Sequence, residues 1–422
     1  MTNEIISKNC ILNKKDNKSL FLVFLVVMVS GNPAIKLPFG DEPVLIITCI
    51  YMAWLLIKKN RLLIENKGIN QFLIFIIIFL FQVIYFDFIP VRTFIGFFIR
   101  LYIAYAIIRV VDNFTTLYIR ILYKICILSL VIWSIGRTGL IDGIILSLPE
   151  WKYYKWSGIT AYALGIHTFY MSPETGVLRN AGLFWEPGAF AGYIIVSIIF
   201  LSLSRQSIPS NVYRRYLIVF ILALLSTMST AGYVLLPLAV VLGYDFKRKK
   251  GSHKYKNIVI FSLIIFSFSF GSLIALKNLD FLSEKINHQL EKTLTNSEQD
   301  IAFNNTRFGS LIFDWYYIKT SPIFGNGPHE TTRYRFHQTD RLEGQGNGLS
   351  SFVAKFGLLG FACFLYYISI GFCRSFGKSK KIFFAIFIIL ASLNAEPFLN
   401  YPLFLSFMFL NNNKKSNLTI QR

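Results

Sequence analysis

Charge is scarce in this chain of 422 residues, of which 15% are charged and 54% are hydrophobic, with a mean hydropathy of +0.52. A soluble domain of this length would carry far more charge on its surface, so that class of protein is excluded. Apolar stretches of about 20 residues suit helices that cross a bilayer, because a helix satisfies its own backbone groups. The sequence therefore predicts an all-α polytopic membrane protein.

Cysteine is also rare, and its positions exclude a covalent framework. None of the five cysteines falls in the two long segments between apolar stretches, 137–188 and 277–348. A disulfide framework is therefore excluded in those segments. Since there is no Cys/His cluster and no Asp-x-Asp motif, we expect neither a metal nor a cofactor.

Acidic residues are scarce beside the basic ones, which outnumber them 43 to 22 and give a formal net charge of +21. Of the 43 Lys and Arg residues, 27 lie in seven segments that alternate with the apolar stretches: 1–19, 58–70, 109–124, 205–215, 247–256, 374–381 and 411–422. By contrast, 277–348 has eight basic and nine acidic residues. This positive-inside pattern indicates a cytoplasmic fringe next to lipid, and it argues against nucleic acid as a partner.

The apolar stretches predict about twelve spans and two large outer (periplasmic) loops. We expect spans near 20–38, 43–57, 72–90, 92–108, 116–136, 189–204, 216–229, 231–246, 257–276, 349–372, 382–394 and 400–411. Both termini would then be cytoplasmic. The resulting divisions are an N-terminal bundle 1–136, a first loop 137–188, central helices 189–276, a second loop 277–348 and C-terminal helices with a tail 349–422.

Each outer loop contains a segment that suits the membrane surface. The first loop contains Trp151-Lys-Tyr-Tyr-Lys-Trp156, a cluster typical of the membrane interface. The second has Ile286, Leu290 and Leu294 at helical spacing in a polar stretch. We expect an amphipathic helix there, which either covers the outer surface or packs on the loop itself.

The clearest motif precedes the sixth predicted span and reads Arg179-Asn-Ala-Gly182-Leu-Phe-Trp-Glu186-Pro187-Gly188. Proline is favoured in a first helical turn, so we expect Pro187 to start a helix and Glu186 to cap it. The helix dipole would keep this carboxylate ionised, and an ionised carboxylate could accept a proton from a sugar hydroxyl. The alternative is a purely structural cap that holds Arg179.

The second outer loop contains an arginine followed by a Gly-rich turn. Arg307 precedes an aromatic stretch at 311–318, which we expect to re-enter or lie on the membrane. The turn after it reads Ser321-Pro-Ile-Phe-Gly325-Asn-Gly327-Pro328. Glycine lets a backbone approach a ligand closely.

The end of the same loop gathers cations on the face where positive charge is scarce. Arg333, Arg335, His337 and Arg341 lie within nine residues. Arginine binds phosphate through a planar fork and stays charged, so the cluster predicts a pyrophosphate site. The alternative is internal pairing with the nearby acidic residues Glu330, Asp340 and Glu343.

Arg100 is an arginine in the middle of a predicted span. Such a residue costs at least about 2.5 kcal/mol, so we expect it to face either a ligand or an acidic partner. Asp87 and Glu396 are the candidate partners for Arg100 and Arg92. Lys355, six residues into its span, is expected to extend its amine to the interface.

Three of these segments resemble the O-antigen polymerase and ligase superfamily. They are the 179–188 motif, Arg307 followed by Pro322-x-x-Gly325-x-Gly327, and Asn347-Gly-Leu before Lys355-Phe-Gly357-Leu-Leu-Gly360. The resemblance implies a GT-C-like glycosyltransferase at the outer face of the bacterial inner membrane. Its donor and acceptor would be undecaprenyl-pyrophosphate-linked oligosaccharides within the membrane lipid, and a chain-length regulator and a flippase would be further partners.

The resemblance also implies roles for the candidate residues. Glu186, with His337 as the second candidate, would accept the proton of the acceptor hydroxyl. The guanidinium groups would stabilise the departing pyrophosphate, and the candidates are Arg179, Arg307, Arg333, Arg335 and Arg100.

Two other functions compete with polymerisation of repeat units. An O-antigen ligase, which transfers glycan to lipid A core, usually has a His before the Asn at the loop end, whereas this chain has Gln345-Gly346-Asn347. A lipid-linked oligosaccharide flippase typically has short outer loops, and 137–188 and 277–348 are long. A passive assembly or sensor protein has no positive support in the sequence.

Overall fold

The computed structural model describes residues 17–36, 40–61, 66–148, 150–152, 160–171, 176–243, 307–335 and 347–410. Several sequence predictions lie outside these residues: the span 257–276, the amphipathic helix with Ile286, Leu290 and Leu294, the catalytic candidate His337, Arg341 with its candidate partners Asp340 and Glu343, and most of the Trp151–Trp156 cluster. The described part is mostly helical, with one small sheet.

In the described part of the chain, seven helices precede the sheet. They are α1 (Asn17–Gly31), α2 (Pro33–Lys36), α3 (Asp41–Lys58), α4 (Asn66–Phe86), α5 (Val91–Val110), α6 (Phe114–Gly136) and α7 (Asp142–Ser147). Those after the sheet are α8 (Pro187–Leu203), α9 (Ser210–Ser226), α10 (Thr230–Val241), α11 (Arg307–Thr320), α12 (Glu330–Arg333), α13 (Gly348–Phe376), α14 (Lys380–Leu393) and α15 (Pro402–Leu405).

Four helices of the described part are long and apolar enough to cross a membrane. They are Gly68–Phe86 within α4, together with α5, α6 and α13. Three shorter apolar helices, α1, α8 and α10, pack among them. The length and apolar character of these helices support a helical membrane protein.

The last predicted span, 400–411, differs from the expectation. The chain there forms α15 and a 3-10 turn, Ser406–Phe409. Eight residues at helical rise cover about 12–16 Å, roughly half a bilayer. All residues of 402–410 are buried, so this segment fills the interior of the bundle.

The first loop contains an antiparallel sheet, so the all-α prediction is wrong for 137–188. The strands are β1 (Glu150–Lys152), β2 (Thr160–Ala163), β3 (Thr168–Met171) and β4 (Leu178–Asn180), in the order β1-β2-β3-β4. The requirement for helices applies to backbone in lipid, and the Thr- and aromatic-rich runs here favour strands. Gly165, at a φ of +84°, lies between β2 and β3.

The sheet is attached to the end of α6. Trp133 Nε1 donates to the Leu178 carbonyl at 3.1 Å, and Phe169, Leu178 and Ile145 of α7 form a small apolar core. Since α5 leads directly into α6, the sheet lies at the end of the bundle where α5 begins. We call this the sheet end.

A break divides α13 at Gly357, where φ is +67° and ψ is −177°. The 321–327 loop inserts at this point. Asn326 N donates to the Ala354 carbonyl (2.8 Å) and Gly327 N to the Lys355 carbonyl (3.0 Å), while Leu358 N donates to the Pro322 carbonyl (2.8 Å). The turn at Gly325 and the helix break at Gly357 are far apart in the sequence. In the structure they form one unit.

Gly357→Ala tests this unit. A Cβ at Gly357 would lie 2.1 Å from the Ile323 carbonyl oxygen, and its φ is unfavourable for any L side chain. We expect the free energy of unfolding to fall by at least about 2–3 kcal/mol, because the close contact adds to the cost of the backbone conformation, about 1–2 kcal/mol. Denaturant unfolding of the purified protein measures this loss.

Gly377→Ala is the matched control, since Gly377 has a φ of +80° but nothing within 4 Å of its would-be Cβ. It should show the backbone cost alone. Equal losses in the two variants would contradict the tight insertion of the loop.

A second prediction concerns His167, which lies between β2 and β3 and is 1% exposed. Burial lowers its pKa to about 3. The fold therefore holds the imidazole neutral, and the unfolded chain gains a proton below about pH 6.5. The contribution of His167 to the free energy of unfolding is therefore constant above that pH and falls by about 1.4 kcal/mol per pH unit below it.

Unfolding midpoints between pH 7.5 and 5.5 measure this loss. His167→Leu should flatten the pH profile, whereas His329→Gln should leave it as in the original protein. A wild-type profile that is flat over this range would refute the prediction.

Candidate functional site

The 179–188 motif forms the connection between β4 and α8. Asn180 is fully buried, and its amide donates to Ser226 Oγ at 2.8 Å, while its side-chain oxygen accepts from Gly182 N at 2.9 Å. Gly182 has a φ of +57°, and a Cβ there would lie 2.9 Å from the Phe190 ring. These residues form the turn that precedes Glu186.

Arg179 is fixed at the end of α9. Its Nε donates to the Thr227 carbonyl (3.1 Å) and its Nη2 to the Met228 carbonyl (2.9 Å). Its guanidinium carbon lies 5.7 Å from the centre of the Tyr170 ring. Arg179 therefore joins the sheet to the α9–α10 connection and brings a positive charge to it.

Glu186 lies at the N-cap position of α8 and Pro187 begins the helix, as the sequence predicted. The carboxylate, however, makes no capping hydrogen bond. It instead lines a pocket of about 90 Å³ with Arg179, and the other lining residues are Tyr170, Pro187, Gly188, Ser229 and Thr230.

Two helices begin at this pocket. Glu186, Pro187 and Gly188 start α8, and Ser229 is the N-cap of α10, with its hydroxyl accepting from Gly232 N at 3.4 Å. The positive ends of both helix dipoles thus meet the Arg179 side chain. The pocket suits a polar ligand with anionic character, and the Glu186 carboxylate lies beside it.

Arg100 and Arg92 pair with acidic residues that the sequence analysis did not choose. Arg92 forms two hydrogen bonds with Glu42, at 2.6 and 2.7 Å, and Arg100 Nη2 lies 3.8 Å from Asp41 Oδ2. The predicted partners, Asp87 and Glu396, were expected to lie at the same depth in the membrane as the two arginines. The partners found are in the first turn of α3, because α3 packs directly beside α5.

Tyr401 connects Arg100 to the Glu186 pocket. Charges on Asp41, Glu396, Arg100 and Glu186 all act on its hydroxyl. Its ring lies 4.9 Å from that of Trp185, the residue before Glu186. Glu186 and Arg100, from different helices, thus belong to one charged region at the sheet end.

Arg333 lies in a buried ion pair with Asp314 of α11. Arg333 is 1% exposed and Asp314 is 0% exposed. The Ser350 hydroxyl donates to Asp314 Oδ2 at 2.5 Å, and the Arg333 guanidinium lies over the Tyr317 and Tyr334 rings at 4.8 and 5.1 Å. Arg333 is thus paired internally, with Asp314, whereas Asp340 and Glu343 lie outside the described residues.

Burial sets the protonation of this cluster. It raises the pKa of Asp314 above its ordinary value, and the attraction of Arg333 and the Ser350 hydrogen bond oppose that rise. It also raises the pKa of Tyr334 to about 12. Tyr334 is therefore a neutral phenol at physiological pH.

The remaining predicted cations are placed differently. Arg335 lies 4.9 Å from the Phe86 ring and 5.7 Å from the Tyr85 ring, at the end of α4. Arg307 begins α11, and its side chain lies outside the described part, as does His337. Arg179 and Arg100 are thus the described candidates that share a region with Glu186.

Two charged residues here, Asp314 and Asp41, were not identified from the sequence, and a third, Lys355, was expected to lie elsewhere. Asp314 interrupts the aromatic stretch 311–318, and an acidic residue in such a stretch is itself a signal. Asp41 follows Gly40 at a helix start. Lys355, expected to extend to the interface, interacts electrostatically with Arg333, Asp314 and Arg100.

No family model matches the chain, and no curated protein matches it. The function must therefore be inferred from the residues of the site and their arrangement.

Asp314→Asn tests the buried ion pair. The change leaves Arg333 buried without its carboxylate, so we expect unfolding to become easier by about 3–5 kcal/mol. Denaturant titration of the purified protein, followed by Trp fluorescence, measures the loss. Asp314→Leu combined with Arg333→Met removes both charges and should recover most of the stability.

Glu42→Gln is the control for an exposed pair and should leave stability almost unchanged. Wild-type stability in Asp314→Asn would show that the pair contributes nothing.

Proposed function

We propose that this protein is a membrane glycosyltransferase that polymerises undecaprenyl-pyrophosphate-linked oligosaccharide repeat units into a surface polysaccharide. In this proposal the chain has about twelve spans and a GT-C-like architecture. The sheet end faces the periplasm, and both termini lie in the cytoplasm of a bacterium. The resemblance of the 179–188, 307–327 and 347–360 segments to O-antigen polymerases supports this assignment.

The observation that carries the proposal is the position of Glu186. Its carboxylate lies at the start of α8 without a capping hydrogen bond and lines the pocket with Arg179. The pocket holds about 90 Å³, less than a whole small-ligand site, so it would take a single polar group of a substrate. A carboxylate beside a cation in such a pocket suits transfer of a proton from a sugar hydroxyl.

The proposed reaction is a displacement at the anomeric carbon of the donor sugar. The acceptor hydroxyl oxygen forms the new bond, and the bond between the anomeric carbon and the pyrophosphate oxygen breaks. Glu186 takes the hydroxyl proton, and the lipid pyrophosphate leaves with the electron pair. Fixed cations, with Arg100 and Arg179 first among them, stabilise the charge that develops on the leaving group.

The structure changes the part that Arg333 plays in this proposal. A guanidinium that is 1% exposed and bound to Asp314 is unsuited to contact pyrophosphate directly. It instead joins α11 and α12 to α13, because Asp314 also accepts from Ser350. Arg307, Arg335 and His337 remain candidates on the same loop.

Glu186→Gln tests the proposed base. The amide keeps the size of the side chain but cannot accept the proton, so we expect polymer formation to fall by at least about 100-fold. Folding should be retained, since the carboxylate makes no capping bond. The measurement is the length distribution of lipid-linked glycan formed by purified protein from lipid-linked repeat units.

Glu42→Gln, at an exposed glutamate, is the matched control and should polymerise normally. Full-length polymer from a folded Glu186→Gln protein would remove Glu186 from this role. A deletion strain separates the rival enzymes: accumulated single repeats support a polymerase, whereas complete but unattached polymer indicates a ligase.

A further inference from the structure

The backbone of Lys355, a cation in α13, is held by two other segments of the chain, the 321–327 loop and α4. It precedes the α13 break by two residues, and its carbonyl accepts from Gly327 N at 3.0 Å and Gln82 Nε2 at 2.8 Å. A Cβ on Gly325 would lie 2.5 Å from the same carbonyl oxygen. The starting point of the side chain is therefore rigid.

The amine of Lys355 forms neither an ion pair within 4 Å nor a hydrogen bond with the described residues, and Asp314, which attracts it, is bound to Arg333. The side chain is half-buried in a predominantly apolar helix. A charge in such a helix is unfavourable and typically marks the path of a substrate or ion. An anion supplied from outside the chain would compensate it.

Arg100 brings a second cation to the same level of the bundle. Its guanidinium folds back along α5, since a Cβ on Gly96 would lie 3.2 Å from Arg100 Nη1. Phe97, at this level, packs against Phe356 at 4.8 Å between ring centres, and Phe356 follows Lys355. The positive charges of Arg100 and Arg333 both repel that of Lys355, while Asp314 attracts it.

Arg100 is also accessible to a ligand. Its side chain is 26% exposed, and its 3.8 Å contact with Asp41 is longer than a hydrogen bond. By contrast, Arg333 is enclosed by its carboxylate partner and two rings. The two cations at this level that form no hydrogen-bonded ion pair with the described residues therefore come from α5 and α13.

We propose that Lys355 and Arg100 together bind the diphosphate of a polyprenyl-linked glycan donor. Arginine offers a planar fork and lysine a point charge, so the pair can hold two phosphates separately. Apolar Ile323 (58% exposed) and Leu358 (53%) flank the α13 break and offer a surface for the polyprenyl chain. The assignment rests on the proposed function and adds Lys355 to it.

Binding of undecaprenyl diphosphate without a sugar tests this assignment apart from catalysis. Purified protein in neutral-lipid nanodiscs is titrated with this lipid, and binding is followed by native mass spectrometry. We expect Lys355→Met to bind at least about tenfold more weakly than the original protein. Lys355→Arg should retain binding, and Lys319→Met, at an exposed lysine of α11, should bind normally.

A thermal unfolding scan completes the test. Lys355→Met should not lower the Tm, because the amine makes no hydrogen bond or ion pair with the described residues. Undiminished diphosphate binding by this variant would overturn the inference while leaving the proposed function intact. Equal binding of phosphatidylglycerol would overturn it too. Weakened binding in Lys355→Met supports it, even if the original protein forms no polymer.

Discussion

At the α13 break, backbone N–H and C=O groups must find hydrogen-bond partners outside the helix. The arrangement of the sheet end depends on this constraint. Where the helix stops at Gly357, the carbonyls of Ala354 and Lys355 and the N–H groups of Leu358 and Leu359 lose their helical partners. Backbone from the 321–327 loop replaces all four. Irregular backbone at membrane depth is tolerated only where protein or a water-filled cavity surrounds it, so the loop and the break require one another. Glycine is needed on both sides, since the two chains approach too closely for a Cβ.

The charges of the sheet end fall into three environments with different consequences. Arg92 and Glu42 are exposed and bound to each other, so water screens their attraction and they contribute little. Arg333 and Asp314 are buried, and their value lies in holding α11, α12 and α13 in one arrangement. Glu186 and Lys355 are committed to no such pair, and this difference singles them out as groups available to a substrate.

The sequence predicted the elements whose signals are local. Apolar runs located most of the helices, and Pro187 located the start of α8, because both depend on neighbouring residues. The break at Gly357 gave no signal, since a glycine in an apolar run is also common in an unbroken span. The ion pair of Asp314 with Arg333 joins residues 19 positions apart, and its geometry depends on tertiary packing. Asp314 itself was detectable, as an acidic residue in an aromatic stretch, whereas its pairing with Arg333 was not.

The distance between the proposed base and the proposed cations is set by the segment 394–401. On one side, its Phe398 packs on Gly192 of α8, where a Cβ would lie 2.3 Å from the ring. On the other, the Glu396 carbonyl contacts Gly348 of α13, where a Cβ would lie 2.0 Å from the oxygen. Glu186 is the N-cap of α8, and Lys355 lies in α13 two residues before the break at Gly357. A displacement reaction depends on holding its two ends in a near-attack arrangement. Two glycines that admit one segment between two helices therefore fix the spacing on which the proposed chemistry relies, although neither contacts a charged side chain.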